Sequence, residues 1–411
     1  MRTLDPRVVI ADLKELRAQT GDAGGAQRVA FTATWAAARA WFRGKLTDLP
    51  VECELDGAAN LWVTLRGRSD RELLIGSHLD SVPDGGWLDG CLGVVAGLEV
   101  LRRIAAEGVP PVTVCLVDWA DEEGARFGRS LFGSSAASGS LDPEALRDLT
   151  DSHGIRLEDA ACDYGVDLDR IGAAARRLER AAAYLELHIE QGPVLESMDL
   201  PLGVVLGTVG IERHRIRFIG QTAHAGSTPM AQRRDAFAAA ARLALETREI
   251  AGRKGGVCTV GSCVTRPGIP TAVAGWCEIT LDQRHLDADR LADMLREAQA
   301  ASARIAGEED VAVEWSQLWR IPPIVFDAEL IEMADAAVHE VVGVSQRLPS
   351  GPLHDAAEMA RAGVPTAMLF VQSLRGLSHT REEDTRREHL EVAVAALDRL
   401  TSKAMDWIAE A

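Results

Sequence analysis

The stretch from residue 74 to residue 94 constrains the fold more than any other part of the chain. It passes from an apolar strand through a glycine-rich turn into an apolar helix, with His78 and Asp80 where the strand ends and Asp89 in the turn. Because a strand alternates its side chains between two faces, His78 and Asp80 are expected on the same face. An imidazole beside a carboxylate is typical of a metal ligand with its orienting partner. A surface histidine next to a simple turn is the alternative that this stretch alone leaves open.

The order of the predicted elements indicates an α/β fold with a mostly parallel sheet flanked by helices. A strand at 72–77, a helix at 91–106 and a strand at 111–119 follow one another, as in a parallel crossover unit. From about Thr208 the order becomes strand, helix, strand, strand, helix, strand, which is that of the ferredoxin-like α+β fold. We therefore expect a first domain in two parts, residues 1–208 and 325–411, and an inserted domain at 209–324.

Local patterns predict several further elements. Apolar residues at helical spacing indicate two helices between residues 7 and 49, and 51–65 is expected to be a strand. The segment 142–180 is predicted to be largely helical, 230–253 is predicted as one helix, and 272–285 as one strand.

Composition excludes some partners and compartments. The chain has 411 residues and a net charge of -18, which disfavours nucleic acid and anionic membranes as partners. The first residues interrupt their apolar run with charge, and no apolar run is long enough to span a bilayer, so we expect a soluble, cytoplasmic protein. The 7 cysteines form no C-x-x-C pair and mostly lie in apolar runs, which predicts free, buried thiols.

The side chains that could bind metal or take part in catalysis lie at the ends of predicted strands. Three histidines with several carboxylates suit a pair of borderline divalent ions, whereas a single zinc ion would need only three of these groups. Of two adjacent glutamates, one can bind metal while the other acts as a general base, although adjacent glutamates are also common on a solvated helix face. The candidates are His78, Asp80, Asp89, Glu122, Glu123, His188 and His379.

Six stretches, in order and spread over nearly the whole chain, resemble the dinuclear metal-dependent aminoacylase and carboxypeptidase superfamily. The resemblance is to its amidase branch, the hydantoinase/carbamoylase family of N-carbamoyl-L-amino-acid hydrolases, β-ureidopropionases and allantoate amidohydrolases. The stretches are 76–82 (GSHLDSV), 86–90 (GWLDG), 121–127 (DEEGARF), 186–193 (ELHIEQGP), 222–230 (TAHAGSTPM) and 378–379 (SH) with Glu383 and Thr385.

This resemblance implies a metal centre with two divalent ions per subunit, zinc first, with manganese, cobalt or nickel as alternatives. Asp89 would bridge the ions, His78 and His188 would complete one of them, and Glu123 and His379 would complete the other. A histidine at 188, where peptidase branches of the superfamily carry a carboxylate, points to the amidase branch rather than to a metallopeptidase.

The resemblance also implies a reaction. Asp80 would orient His78, and Glu122 would act as general base for a metal-bridged hydroxide that cleaves the C-N bond of an N-carbamoyl L-amino acid. Another N-acyl or aryl-acyl amino-acid conjugate, or allantoate, is the alternative within this mechanism. A non-catalytic binding or regulatory relative is the alternative of another class, but the loss of ligands that marks such proteins is not seen.

The inserted domain would serve as a lid and would form a homodimer through residues 209–324. His224 resembles the family histidine that stabilises the oxyanion, typically at the neighbouring subunit's site, although it could simply lie at a helix entry. Arg284 resembles the arginine that clamps the carboxylate of a small-molecule substrate, and its alternative is an ion pair with Asp282. Gln191 follows the family pattern as a substrate contact.

Two departures from the family pattern concern substrate binding. Thr271 stands where the family usually has a substrate-contacting asparagine. In the stretch 350–355 (SGPLHD), Gly351 and His354 keep the pattern of a substrate-binding loop, but Pro352 removes a backbone N–H and Leu353 adds apolar bulk. These changes leave the metal ligands intact and put the identity of the acyl group in doubt.

Overall fold

A computed structural model describes residues 3–410 of the chain. Its α-helices are α1 (Pro6–Thr20), α2 (Ala33–Gly44), α3 (Cys91–Glu107), α4 (Phe132–Ser138), α5 (Leu157–Cys162), α6 (Val194–Ser197), α7 (Ala236–Lys254), α8 (Ala288–Glu308), α9 (Ala328–Val342), α10 (Asp355–Arg361) and α11 (Arg387–Glu410). Its strands are β1 (Glu52–Leu55), β2 (Leu61–Leu65), β3 (Glu72–His78), β4 (Thr113–Trp119), β5 (Ala181–Ile189), β6 (Leu202–Thr208), β7 (Gly210–Ile219), β8 (Ala223–His224), β9 (Val257–Arg266), β10 (Ala272–Val273), β11 (Trp276–His285), β12 (Ala312–Ile321), β13 (Ile324–Val325), β14 (Arg347–Ser350) and β15 (Thr366–Val371).

The chain divides into two compact units. Unit 1 contains the residues up to Leu206 and those from Phe326 onward, and unit 2 is Gly207–Val325. None of the helices within residues 3–410 combines the length and the apolar character needed to cross a bilayer.

Unit 1 is built on a sheet with the strand order β1-β2-β4-β3-β5-β15-β6, and β14 also pairs with β6. The four central strands β4, β3, β5 and β15 run parallel, whereas β2 and β6 pair with them antiparallel. Every residue of β2, β3, β4 and β15 is buried. Strands covered on both faces need apolar residues at every position, which explains their continuous apolar runs and confirms the predicted mostly parallel α/β fold.

Helix α3 packs closely on this sheet because its glycines have no side chains and let the strands approach the helix backbone. A Cβ built at Gly93 would lie 2.5 Å from the Leu187 carbonyl oxygen, and one at Gly97 would lie 2.6 Å from Leu116. All residues from Cys91 to Ile104 are buried. The helix therefore fixes the turn that precedes it, which carries Asp89.

Unit 2 contains a four-stranded sheet with the order β12-β7-β11-β9, in which all neighbours are antiparallel. Helices α7 and α8 cover the sheet, and the core includes Phe218, Leu243, Ile279, Met294 and Ile305. This order of strands and helices is that of the split βαβ fold predicted for the insertion.

The structure corrects three local predictions of secondary structure. The segment 51–65 is a hairpin of two strands, because the Asp56 side chain accepts hydrogen bonds from the Ala58 and Asn60 amides and closes a turn between them. The predicted helix 230–253 begins at Ala236. The predicted strand 272–285 is interrupted at Gly275, where a Cβ would lie 2.5 Å from the Thr222 nitrogen.

The prediction of a largely helical segment over 142–180 is confirmed only in part. The segment contains α5 and two 3-10 helices, Glu144–Leu146 and Ile171–Arg180, and the rest consists of turns and an isolated bridge between Thr150 and Arg156. Gly154 and Gly165 adopt positive φ and interrupt any long helix. The apolar side chains of this segment instead pack at irregular spacing against Phe31 and Trp35.

All seven cysteines are free thiols, as expected, but they are not uniformly buried. Cys91, Cys115 and Cys277 are buried, whereas Cys53, Cys162 and Cys263 are exposed. Cys53 and Cys263 lie on β1 and β9, which are edge strands with mostly exposed residues. Apolar neighbours in the sequence therefore do not predict that a cysteine on an edge strand is buried.

Replacing Asp235 with Ala is expected to destabilise the first turn of α7. The Asp235 carboxylate accepts hydrogen bonds from the Phe237 and Ala238 amides at 3.0 and 3.1 Å. Losing such a cap costs about 1 kcal/mol, whereas Asp235→Ser keeps an acceptor. Hydrogen exchange at the first turn of α7 should accelerate in the Ala variant only, and equal exchange in both variants would contradict this role.

Candidate metal centre and active site

The parallel strands place the candidate metal-binding and catalytic side chains at one edge of the unit 1 sheet. His78 is the last residue of β3, Glu122 and Glu123 follow β4, His188 lies near the end of β5, and His379 follows β15. Because β4, β3, β5 and β15 are neighbours and run parallel, their carboxyl ends lie side by side. The fold therefore brings together residues that are up to three hundred positions apart, which is what the sequence predicted.

Asp89 lies at the centre of this group. Its Oδ1 is 3.1 Å from His188 Nε2 and 3.8 Å from His78 Nε2, and its Oδ2 is 3.5 Å from His379 Nε2. Two sets of residues can each place three ligand atoms within 4.8 Å of one another: His78, Asp89 and His188, and Asp89, Glu123 and His379. Asp89 is the one residue that both sets share.

The residues of both sets fit divalent metal ions. Imidazole and carboxylate donors suit zinc and other borderline ions. Glu123 Oε1 is buried without a hydrogen-bond partner among the described residues, so it has a lone pair to offer. Burial opposes ionisation of Asp89, but the hydrogen bond from His188 and the charges of His188 and His78 hold its pKa well below its usual range.

A third set, Glu186, His188 and His354, has similar spacing but fits a metal less well. Glu186 already accepts hydrogen bonds from Ser77 Oγ, the Tyr184 hydroxyl and the Ala356 amide at 3.0, 3.1 and 2.9 Å. A carboxylate with both oxygens engaged supports its neighbours rather than binding an ion.

Asp80 connects the two sides of the site. Its Oδ1 lies 3.5 Å from His78 Nδ1 and accepts a hydrogen bond from the Glu122 amide at 3.2 Å, while its Oδ2 accepts one from the Glu123 amide at 3.1 Å. The side chain is completely buried. The backbone carbonyl of Asp80 lies closer still, at 3.2 Å from His78 Nδ1. Asp80 thus positions the imidazole at the end of β3 through its backbone and its carboxylate, and both glutamates after β4 through its carboxylate.

Glu122 belongs to neither metal-binding set. Its Oε2 lies 3.7 Å from His78 Nε2, and the residue is buried. Burial raises the pKa of Glu122 well above its usual range, against the opposing charge of His78. A carboxyl group that holds a proton more strongly than usual suits a general base that must also return that proton.

A hydrogen-bond network for which the sequence predicted no role holds Asp89 in place. Glu383 Oε1 accepts hydrogen bonds from the Leu88 and Asp89 amides, both at 3.0 Å, and Ser378 Oγ donates to Asp89 Oδ2 at 2.6 Å. A Cβ at Gly86 would lie 2.0 Å from the Glu383 carboxyl, so only glycine fits there. The motif containing Ser378 and Glu383 was the only sequence signal for this network.

Two other supporting residues were also missed. Gly90 has a φ of 65°, and a Cβ there would lie 2.4 Å from the His78 ring, so this position must be glycine. Glu186 shares a strand face with His188, two residues further on, and this alternation was the signal that could have identified it.

The site opens into a cavity of about 240 Å³ that is lined only by unit 1 residues. Gln191 lies in it and donates from Nε2 to Asp89 Oδ2 at 2.8 Å. His354 also lines it, with its ring centroid 4.4 Å from that of His188 and the two rings tilted by 57°, and burial lowers the pKa of His354 well below the usual value. The other lining residues are Glu122, Glu123, Ser130, Leu131, His188, Pro352, Leu353, His379 and Asp89 itself. Gly351, predicted to bind substrate, is exposed and is not among them.

The other predicted substrate residues lie in unit 2. Exposed His224 accepts hydrogen bonds at Nδ1 from the Gly226 and Ser227 amides, so the neutral ring carries its proton on Nε2. Thr271 lies next to it, because its carbonyl accepts a hydrogen bond from Ala225 at 2.9 Å. Arg284 Nε donates to Asp282 Oδ1 at 2.8 Å, which is the ion pair considered as the alternative.

Two overlapping sets of metal ligands beside a buried carboxyl group are typical of metal-dependent hydrolases. The chain matches the model of peptidase family M20/M25/M40 over residues 74–403, and it belongs to this family. The family is generally dependent on two metal ions. The chain is accordingly a hydrolase that acts on amide C-N bonds, and the resemblance noted in the sequence is confirmed.

Individual relatives carry amidohydrolase names. The chain is 38% identical to N-carbamoyl-L-amino acid amidohydrolase of Geobacillus stearothermophilus, over 91% of this chain and 92% of the relative. It is 32% identical to allantoate amidohydrolase of Escherichia coli (strain K12), also over 91% and 92%. A solved amidase of the hydantoinase/carbamoylase family from Burkholderia phymatum superposes with a TM-score of 0.87, at 33% identity and 99% coverage of both chains.

Replacing Glu383 with Ala is expected to destabilise unit 1 and weaken metal retention. The variant leaves two buried N–H groups without an acceptor, at a cost on the order of 3 kcal/mol, and frees the turn that carries Asp89. Glu383→Gln keeps an amide oxygen and should lose much less. Thermal unfolding and metal content after dialysis measure the two effects, and unchanged values in the Ala variant would refute the positioning role.

Proposed function

We propose that this protein hydrolyses N-carbamoyl L-amino acids to the free amino acid and carbamic acid, using two divalent ions. The observation that supports this most directly is the pair of ligand sets that share Asp89, with Gln191 hydrogen-bonded to the same carboxylate. The name of the Geobacillus relative supplies the substrate class.

The proposed metal ligands are His78, Asp89, Glu123, His188 and His379. When bound, the ions would polarise the substrate carbonyl and acidify a water molecule. Zinc is our first candidate, with manganese, cobalt or nickel as alternatives. Asp80 fixes His78 in the orientation that directs Nε2 towards Asp89.

Glu122 performs the proton transfers of the proposed reaction. It takes a proton from the attacking water and then delivers that proton to the leaving nitrogen, so that the amine departs neutral. Between the two steps the proton stays on the Glu122 carboxyl group. The bond from the carbonyl carbon to the amino-acid nitrogen breaks, and the bond to the water oxygen replaces it.

The remaining predicted residues bind substrate in this proposal. His224, with its proton on Nε2, donates to the developing oxyanion of the neighbouring subunit in a homodimer formed through residues 209–324. Arg284 binds the substrate carboxylate, for which it exchanges part of its pairing with Asp282. Gln191, Thr271, Gly351 and His354 complete the substrate contacts.

Replacing Glu122 with Gln should abolish turnover while leaving the metal content unchanged. Loss of a general base lowers rates by about 10² to 10⁴-fold, and Glu122 lies outside both ligand sets. Glu123→Gln is the matched control, because it should lose metal as well as activity. Measuring kcat and bound metal in both variants tests the assignment, and appreciable activity in the Glu122 variant would exclude the role.

A substrate panel separates the proposed reaction from its alternatives. Purified enzyme should hydrolyse carbamoyl amino acids faster than formyl, acetyl or aryl-acyl amino acids. Allantoate belongs in the panel because of the Escherichia coli relative. A complete lack of carbamoyl hydrolysis would eliminate the proposed substrate class while leaving the amide hydrolase itself intact.

A further inference from the structure

Part of the lining of the active-site cavity is apolar. This apolar wall consists of Leu131, Pro352 and Leu353, and the other lining residues are carboxylates, histidines, Gln191 and Ser130. A substrate that reaches the ligand sets therefore meets charged and polar groups at the reacting centre and hydrocarbon beside it. No side chain of this wall can donate or accept a hydrogen bond.

The backbone holds Leu131 rigidly in this wall. Leu131 is 4% exposed and has a φ of 57°, a left-handed conformation that bulky residues seldom adopt. Its amide donates to the Glu122 carbonyl at 2.7 Å, which fixes it beside the proposed general base. Strain of this kind persists where the surroundings impose it, and it is common at ligand-binding positions.

The loop carrying the other two residues is also fixed and offers few donors. Pro352 has no N–H, and its carbonyl accepts a hydrogen bond at 2.7 Å from Ser350, which is completely buried. The next residue, Leu353, is half-buried and is followed by buried His354. Pro352 itself is exposed. A polar substituent packed against buried Leu131 and half-buried Leu353 would lose hydrogen bonds to water without replacement.

We propose that Leu131, Pro352 and Leu353 form the side-chain pocket of the enzyme and select L-amino acids with aliphatic side chains. This inference rests on the proposed function, because it assumes that the scissile carbonyl lies at Asp89 and Glu122 and that the amino-acid side chain extends from there. Pro352 and Leu353 then act on the amino-acid side chain rather than on the acyl group, with which the sequence associated them. The second ureido group of allantoate is polar and matches this wall poorly. The substrate class is accordingly an N-carbamoyl aliphatic L-amino acid.

Leucine and asparagine provide a matched test, because their side chains have nearly the same shape and differ in polarity. The ratio of kcat/KM for N-carbamoyl-L-leucine over N-carbamoyl-L-asparagine should be at least about tenfold in the native enzyme, since pockets of this kind discriminate by that order. Leu353→Asn should lower the ratio at least severalfold. Leu55→Asn, at an exposed leucine of β1 outside the cavity, should leave the ratio unchanged.

A binding measurement keeps the test independent of the acyl group. L-leucine and L-asparagine are products of their N-acyl forms whichever acyl group is native, and calorimetry of the metal-loaded enzyme gives their Kd values. Leucine should bind at least about tenfold more tightly, and Leu353→Asn should reduce the difference. Equal Kd values, or a ratio unaffected in Leu353→Asn, would overturn the pocket. Leucine selectivity without any carbamoyl hydrolysis would support the pocket and reject the proposed reaction.

Discussion

The arrangement of the site depends on the buried carboxylate of Asp80. It faces the His78 ring through one oxygen and uses both oxygens to accept the amides of Glu122 and Glu123. Since His78 ends β3 and both glutamates follow β4, this carboxylate sets the spacing between a candidate metal ligand and the proposed base. A carboxylate oriented by several hydrogen bonds keeps its geometry without help from solvent, which a preorganised site requires.

A buried ion pair between Arg39 and Asp118 fixes the backbone next to Asp80. Asp118 Oδ1 accepts the Leu79 amide at 2.8 Å, and Arg39 Nε lies 2.7 Å from Asp118 Oδ2. Burial raises the pKa of Asp118 to about 6, and the Arg39 guanidinium opposes that rise. The residue between His78 and Asp80 is therefore held by its backbone, and the two functional side chains need little freedom to find their positions.

Much of the candidate metal centre could be predicted from the sequence because parallel strands end at one edge. His78, His188 and His379 each follow an apolar run, and the fold then places those runs side by side. Local order of strands and helices was also sufficient for the split βαβ sheet of unit 2. In both cases a short-range pattern determines a long-range arrangement through general rules of sheet topology.

The rest depended on contacts that no local pattern encodes. Glu383 binds amides at Leu88 and Asp89, almost three hundred residues earlier, and only the assembled fold shows this. The segment 142–180 is helical only in short stretches, and its apolar residues pack against Phe31 and Trp35 without a long helical periodicity. The sequence alone could not show that Arg284 pairs with Asp282, because two charged side chains two residues apart on a strand can equally contact other partners.

The contacts of Glu383 bear on how the protein is made. The first part of unit 1 leaves the ribosome with the amides of Leu88 and Asp89 lacking their acceptor, and β15 and Ser378 are also still to be synthesised. During that interval the turn around Asp89 lacks its contacts with Glu383 and Ser378. The supports of this turn are therefore complete only after β15 and the loop that follows it have been synthesised.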